Sequence, residues 1–166
     1  MDACQSKLPE IIPETPPLPQ RVEKTSDQQK IALANKLIQQ GVKIINTGQR
    51  YMLVIPSVLL FADQSPKLEW AAYNLLNDVA CYLQQFRIIS VHINSFSTCY
   101  GSARRAHALT LARARYIGNY LESQGVDTRF IFTQGIGSDK PIIMHAKPGE
   151  ASLNSRIEIT FSDAVA

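Results

Sequence analysis

The side chains in this sequence best shaped to grip a charged ligand are arginines. Arg104, Arg105, Arg113 and Arg115 crowd one stretch, and Arg156 follows Asn154 near the end. A guanidinium offers five N–H donors and can hold a carboxylate or phosphate through two parallel hydrogen bonds. Spaced as they are, the four clustered arginines would spread around a helix axis instead of lining one side. They read as a solvated face and not as a nucleic-acid stripe. A formal charge of +3 on 166 residues fits that reading, since nucleic-acid binders concentrate positive charge more strongly.

The other reactive side chains form no reaction set. His92, His107 and His145 fall on a strand, a helix and a loop, without ligand spacing. Cys4, Cys81 and Cys99 lack metal spacing as well. Cys81 lies within a helical pattern and is expected in the core; a Cys81–Cys99 bridge stays open, subject to demanding geometry. The stretch GIGSDK, 135–140, lacks the Gly-Lys-Ser/Thr ending of a phosphate loop. Ser102 follows Gly101 but has no Gly-x-Ser-x-Gly turn around it. No catalysis, cofactor or metal is expected.

Which elements would position the arginines? Residues 1–24 contain five of the nine prolines, Pro9, Pro13, Pro16, Pro17 and Pro19, and read as an extended tether. Ala3-Cys4 ahead of this run looks like the start of a lipoprotein linker, with Cys4 as the lipidation candidate. Residues 25–166 form the expected domain. Ser26 and Gln29 suggest a capping box, and Ile31, Ala34, Leu37 and Ile38 recur at helical spacing until Gly41. VKIINTGQRYMLVIP reads as a hairpin turning at Asn46-Thr47-Gly48. A connector, 57–68, leads to a helix over 68–85 with Leu68, Ala72, Leu75, Leu76, Val79 and Leu83 on one face.

A strand over 87–96 and the loop STCYGS precede a second long helix, 103–123, with a stripe of Leu109, Ala112, Tyr116, Ile117 and Tyr120. A strand follows at 129–134. The last strand is NSRIEITF, 154–161, where Ile157, Ile159 and Phe161 alternate with Arg156, Glu158 and Thr160. From the hairpin's second strand the order is βαβαβ, a long loop, then β. This predicts an α/β (α+β) two-layer sandwich with helices on one face of a mixed sheet, preceded by an extra helix and the hairpin. No window of about 18 apolar residues suggests a membrane span.

This order, from Val42 to Phe161, resembles the OmpA C-terminal-like family. LLFADQSPKL matches the family's apolar-Phe…Ser-x-x-Leu segment at Leu60, Phe61, Ser65 and Leu68. LTLARA, 109–114, matches its Leu-Ser-x-x-Arg-Ala helix with Thr for Ser. QGIGSDKP matches its glycine-rich turn, and NSRIE its closing Asn-x-Arg-apolar-Glu. Each motif alone is weak; the set, in order, is specific.

The resemblance implies binding of peptidoglycan through the charged ends of its stem-peptide diamino acid. It puts Arg113 on the carboxylate, with Asn154 and Arg156 as the polar pair bordering the groove. The family's loop Gly-His-Thr-Asp is replaced here by Ser95-Phe96-Ser97-Thr98. Thr98 therefore stands where an acid should meet the ligand's ammonium, with Ser97 beside it, and Ala106 stands where an Asn is usual. Losing such a charge-assisted contact costs about 1.5–3 kcal/mol. Two expectations follow. One is a non-catalytic envelope protein at the periplasmic face of the bacterial outer membrane, binding the stem peptide weakly and linking an outer-membrane or secretion assembly to the wall. The other is a structural subunit of a type IVB (Dot/Icm) secretion outer-membrane core, with a degenerate pocket and other complex subunits as partners. Neither involves nucleic acid, and the membrane enters only through a lipid anchor.

Overall fold

The computed structural model describes residues 27–98, 101–142 and 151–164. The proline-rich tether, Cys4, the Ser26 cap, Cys99 and His145 lie outside the described residues.

The described chain runs α1 (Asp27–Gln39), β1 (Lys43–Thr47), β2 (Arg50–Pro56), a short 3-10 turn (Ser57–Leu59), α2 (Ala72–Leu83), β3 (Ile88–Phe96), α3 (Ala103–Ser123), β4 (Phe130–Gly137), α4 (Ala151–Asn154) and β5 (Arg156–Asp163). The five strands form one sheet in the order β1-β2-β5-β3-β4. Only β3 and β4 pair in parallel. This is the expected mixed sheet, with the expected helix and hairpin ahead of it.

Alternation in β2, β3 and β5 builds the core. Tyr51–Phe161–Val91, Leu53–Ile159–Ile93 and Ile55–Ile157–Ser95 form three rows across the sheet. All nine point to the same side, where Leu37, Leu75, Leu76, Val79, Leu83, Ile117 and Leu121 complete the cluster around the apolar members. A slip of one residue in β5 would turn all its apolar side chains to solvent, so the register is strongly fixed. Phe161 further stacks on Tyr51 at 5.2 Å and tilts against Phe86 at 5.1 Å.

The sequence pattern misread three helix faces. Cys81 is exposed, not in the core: its neighbours Ala80 and Tyr82 take the inward positions of α2. In α1 only Leu37 is fully buried, and Ile31 and Ile38 are exposed, because among the described elements this helix packs mainly on α2 and the edge strand β1. In α3 the buried line is Ala106, Thr110, Arg113, Ala114, Ile117, Gly118 and Leu121, whereas Tyr116 is 41% exposed. Small side chains at every fourth position (Ala106, Thr110, Ala114 and Gly118) let α3 lie close to the sheet. A count of large apolar residues cannot see such a face.

Boundaries shift for related reasons. The expected helix from residue 68 begins only at Ala72, because Leu68 pairs back with Phe61 in an isolated bridge. β4 runs past Gln134 to Gly137, because glycine permits the approach of α3. A Cβ on Gly135 would lie 2.3 Å from the Leu111 backbone nitrogen and 2.7 Å from Thr110 Oγ1.

Backbone cannot yield there as a flexible side chain can. Gly135→Ala is therefore expected to lower stability by about 2 kcal/mol or more, in the range of core overpacking, in a urea unfolding titration. Gly125→Ala provides the contrast: it meets no atom within 4 Å and bears only the strain of its positive φ of 73°.

Candidate functional site

Because β5 is inserted between β2 and β3, its beginning meets the carboxyl ends of both. Pro56 and Phe96 each pair with Arg156. The end of β4 arrives beside them, with Ser97 donating its amide to the Gly137 carbonyl at 2.8 Å. The first turns of α3 close the cluster: Thr110 Oγ1 accepts from the Gly137 amide at 3.0 Å and donates to the Ala106 carbonyl at 2.9 Å. Carboxyl ends of parallel neighbours are where open α/β sheets commonly place ligands.

Arg113 occupies this end and is only 3% exposed. Its Nε donates to the Ser65 carbonyl at 2.9 Å and its Nη2 to the Ala62 carbonyl at 3.2 Å. Its carbon Cζ sits 4.9 Å from the centre of the Phe61 ring. The Phe61–Leu68 bridge closes the connector into a small loop, and Arg113 clamps that loop from within. The guanidinium is thus turned to the connector and not to the closing strand.

Thr98 is half-buried, and its amide donates to Ser155 Oγ at 3.1 Å. Ser97 is buried, and its hydroxyl has no partner among the described residues. The same holds for Ser57, at the end of β2, and Ser95, in β3. Buried hydroxyls are normally satisfied by protein or ordered water, and all three lie near the strand ends.

Asn154 and Arg156 hold the loop after β4. Asn154 Oδ1 accepts from the Ile142 amide at 2.8 Å. Arg156 donates through Nε to Glu158 Oε1 at 2.7 Å, and through Nη1 and Nη2 to the Asn154 and Lys140 carbonyls, both at 3.4 Å. Its guanidinium lies 3.8 Å from the Phe96 ring centre. The polar pair that opens the closing strand therefore braces the rim.

Two supports were missed in the sequence. His107 bridges the Gly135 carbonyl (Nδ1, 3.2 Å) and Asp139 (Nε2, 2.9 Å), tying α3 to the GIGSDK turn. Ser102 caps α3 by accepting from the Arg105 amide at 3.2 Å. The Ser102 position did carry an N-cap signal; His107 carried none, since its partners lie 28 and 32 residues away. Among the described residues no group of His, Cys, Asp or Glu could hold a metal ion, and no helix is long and apolar enough to cross a membrane.

Arg156 is buried with a carboxylate partner and an aromatic floor. Arg156→Ala is expected to cost about 3 kcal/mol, because it leaves Glu158 in a half-closed site without its cation. Arg156→Lys, which keeps the charge but loses the planar fork, should recover only part of that. Chemical denaturation of the three proteins provides the comparison.

Residues 60–155, more than half of the chain, match the OmpA family. The protein is 30% identical over 136 residues to the probable lipoprotein YiaD of Escherichia coli K12, a match covering 82% of this chain and 62% of that protein. It is 34% identical over 101 residues to the peptidoglycan-binding protein ArfA of Mycobacterium tuberculosis, covering 61% of this chain and 31% of that one. The chain thus spans less than two thirds of either relative. Its fold is similar to the cell wall anchor of the type VI secretion system from Pseudomonas aeruginosa, at 22% identity and a TM-score of 0.68 over 89% of this chain and 99% of that one. It is also similar to the peptidoglycan-associated lipoprotein from Burkholderia pseudomallei, at 19% identity and a TM-score of 0.55 over 66% and 89%. The matched span holds the clamped connector, α3 and the GIGSDK turn together, and the chain belongs to the OmpA family.

Proposed function

We propose that this chain is a non-catalytic cell-envelope module that binds the peptide part of peptidoglycan where β2, β3 and β4 end. The observation that carries the reading is the buried Arg113 guanidinium at that end of the sheet, in a chain of the OmpA family. Peptidoglycan binding by the relative ArfA supports the same ligand. In this reading the guanidinium faces the stem-peptide carboxylate, and Thr98 and Ser97 offer hydroxyls to its amino end. Asn154 and Arg156 hold the rim. Residues 1–24 act as a tether lipidated at Cys4, so that the module links the periplasmic face of the outer membrane, or an assembly in it, to the wall.

A second reading is favoured by one observation. Thr98 replaces the acid that would hold the ammonium, and the Nε–Nη2 edge of Arg113 is turned to connector carbonyls. On this reading the pocket is vestigial, and the chain is a docking subunit of a secretion core, similar to the OmpA-like lipoprotein DotK (IcmN) of the Dot/Icm type IVB apparatus. The wall-binding reading is preferred because a curated relative is itself named for binding peptidoglycan.

Co-sedimentation with purified sacculi separates the two. The wild type should be retained, and Arg113→Lys, which keeps charge but loses the fork, should be retained less; a melt of the variant, expected below the wild-type midpoint because the clamp on Ala62 and Ser65 is lost, sets the assay temperature at which both proteins are folded. Thr98→Asp restores an acid and should tighten binding about tenfold to a hundredfold. Absence of the wild type from the pellet, with no gain from Thr98→Asp, would overturn wall binding in favour of the docking subunit.

A further inference from the structure

One exposed feature takes no part in the clamp or the rim. Trp70, the single tryptophan of the chain, is 90% exposed. It sits two residues beyond Leu68, whose bridge to Phe61 closes the loop that Arg113 holds. It begins an aromatic run along the seam between α2 and α3. Trp70 meets Tyr73 edge-on at 5.9 Å, and Tyr73 meets Tyr120 at 5.4 Å. The Tyr116 phenol stands close enough to Tyr73 to raise the pKa of Tyr73 above its ordinary value. Tyr120 donates to Asn77 Oδ1. On α3, Arg113, Tyr116 and Tyr120 follow at helical spacing on one side, so the run is continuous with the clamp.

Its chemistry is mixed. Flat apolar rings alternate with phenol hydroxyls, and Glu69, Asn74, Asn77 and Asn119 around them are exposed and polar. Tryptophan and tyrosine also anchor protein interfaces, so a protein partner is the competing occupant. A pyranose fits the alternation itself: one face carries C–H groups suited to an aromatic plane, and its rim carries hydroxyls suited to phenols and amides. Tyrosine and tryptophan combine both properties in one side chain.

We infer that the Trp70–Tyr73–Tyr116–Tyr120 seam is a saccharide subsite, on which a β-1,4-linked N-acetylhexosamine chain lies with a sugar face against Trp70, next to the peptide held at Arg113. This rests on the proposed function for its natural ligand and extends it from the stem peptide to the glycan.

Trp70 reports on itself. Titration of the full chain with the tetrasaccharide of β-1,4-linked N-acetylglucosamine should give a saturable blue shift or quenching of its emission, lost in Tyr73→Ala. Calorimetry then compares a sugar-free stem peptide with a disaccharide-peptide of the same stem. Trp70→Ala should weaken the disaccharide-peptide about tenfold, the loss of one aromatic anchor, and leave the sugar-free peptide unchanged. Arg113→Lys should weaken both. No emission change, or a Trp70→Ala variant that binds both ligands like the wild type, overturns the subsite. A wild type that responds to the tetrasaccharide but binds no stem peptide overturns the peptide reading while the saccharide subsite stands.

Discussion

The last strand of the chain lies in the middle of the sheet, and nearly everything else follows from that placement. β5 pairs with β2 on one side and β3 on the other, antiparallel to both. Neither half of the core can close before it arrives: Leu53 and Ile93 belong to one row only because Ile159 lies between them. The same insertion brings the entrance of β5 level with the exits of β2 and β3, and so assembles the site from segments far apart in sequence. A sheet closed by such long-range pairing depends on distant contacts for both stability and folding rate. The polar start of β5 is stabilised where apolar residues would be expected, because Arg156 finds Glu158, two carbonyls and the Phe96 ring within its reach.

Arg113 imposes the second constraint. Burying a guanidinium is costly unless its donors are satisfied. Here backbone carbonyls of the connector meet two of them. The connector in return gains a fixed shape that its own sequence, with Pro66 and the positive φ of Gln64, would not secure alone. A side chain holding the wall of a pocket is poorly suited to move, so its charge is presented from a fixed position. Preorganised donors of this kind recognise a carboxylate without reorganising first. A structural role and the proposed ligand-facing one are therefore compatible in one residue, which is why its conservative replacement by lysine is more informative than its removal.

How much of this was legible in the sequence depends on which physical signal carried it. Period-2 alternation in β2, β3 and β5, and the long helical run from Ala103 to Ser123, were readable, because each is repeated over many residues. The face of α3 was not, since Ala106, Thr110, Ala114 and Gly118 bury by being small and not by being apolar. Cys81 misled because free cysteine is usually buried, whereas the packing of α2 gives that side to Ala80 and Tyr82. The resemblance marked Arg113 and the NSRIE segment as positions to watch. It could not say that Arg113 would grip the carbonyls of Ala62 and Ser65, because backbone acceptors leave no mark on residue identity.

The aromatic seam shows the same limit from the opposite side. The helical stripe contains both Tyr116 and Tyr120, yet only Tyr120 packs against the core, and Tyr116 is exposed. In the structure the close packing of α3 on β4 turns the small residues inward and moves the tyrosines toward α2 and solvent. Gly135 and Gly118, by letting the helix and strand approach, thus decide which face of α3 the sheet leaves uncovered. Were α3 held farther from the sheet, the rings would be drawn under it to fill the gap, and Trp70 would stand alone. The exposure of the seam is a consequence of glycine packing on the other side of the helix, and it places an aromatic surface and a buried cation on successive turns of one element.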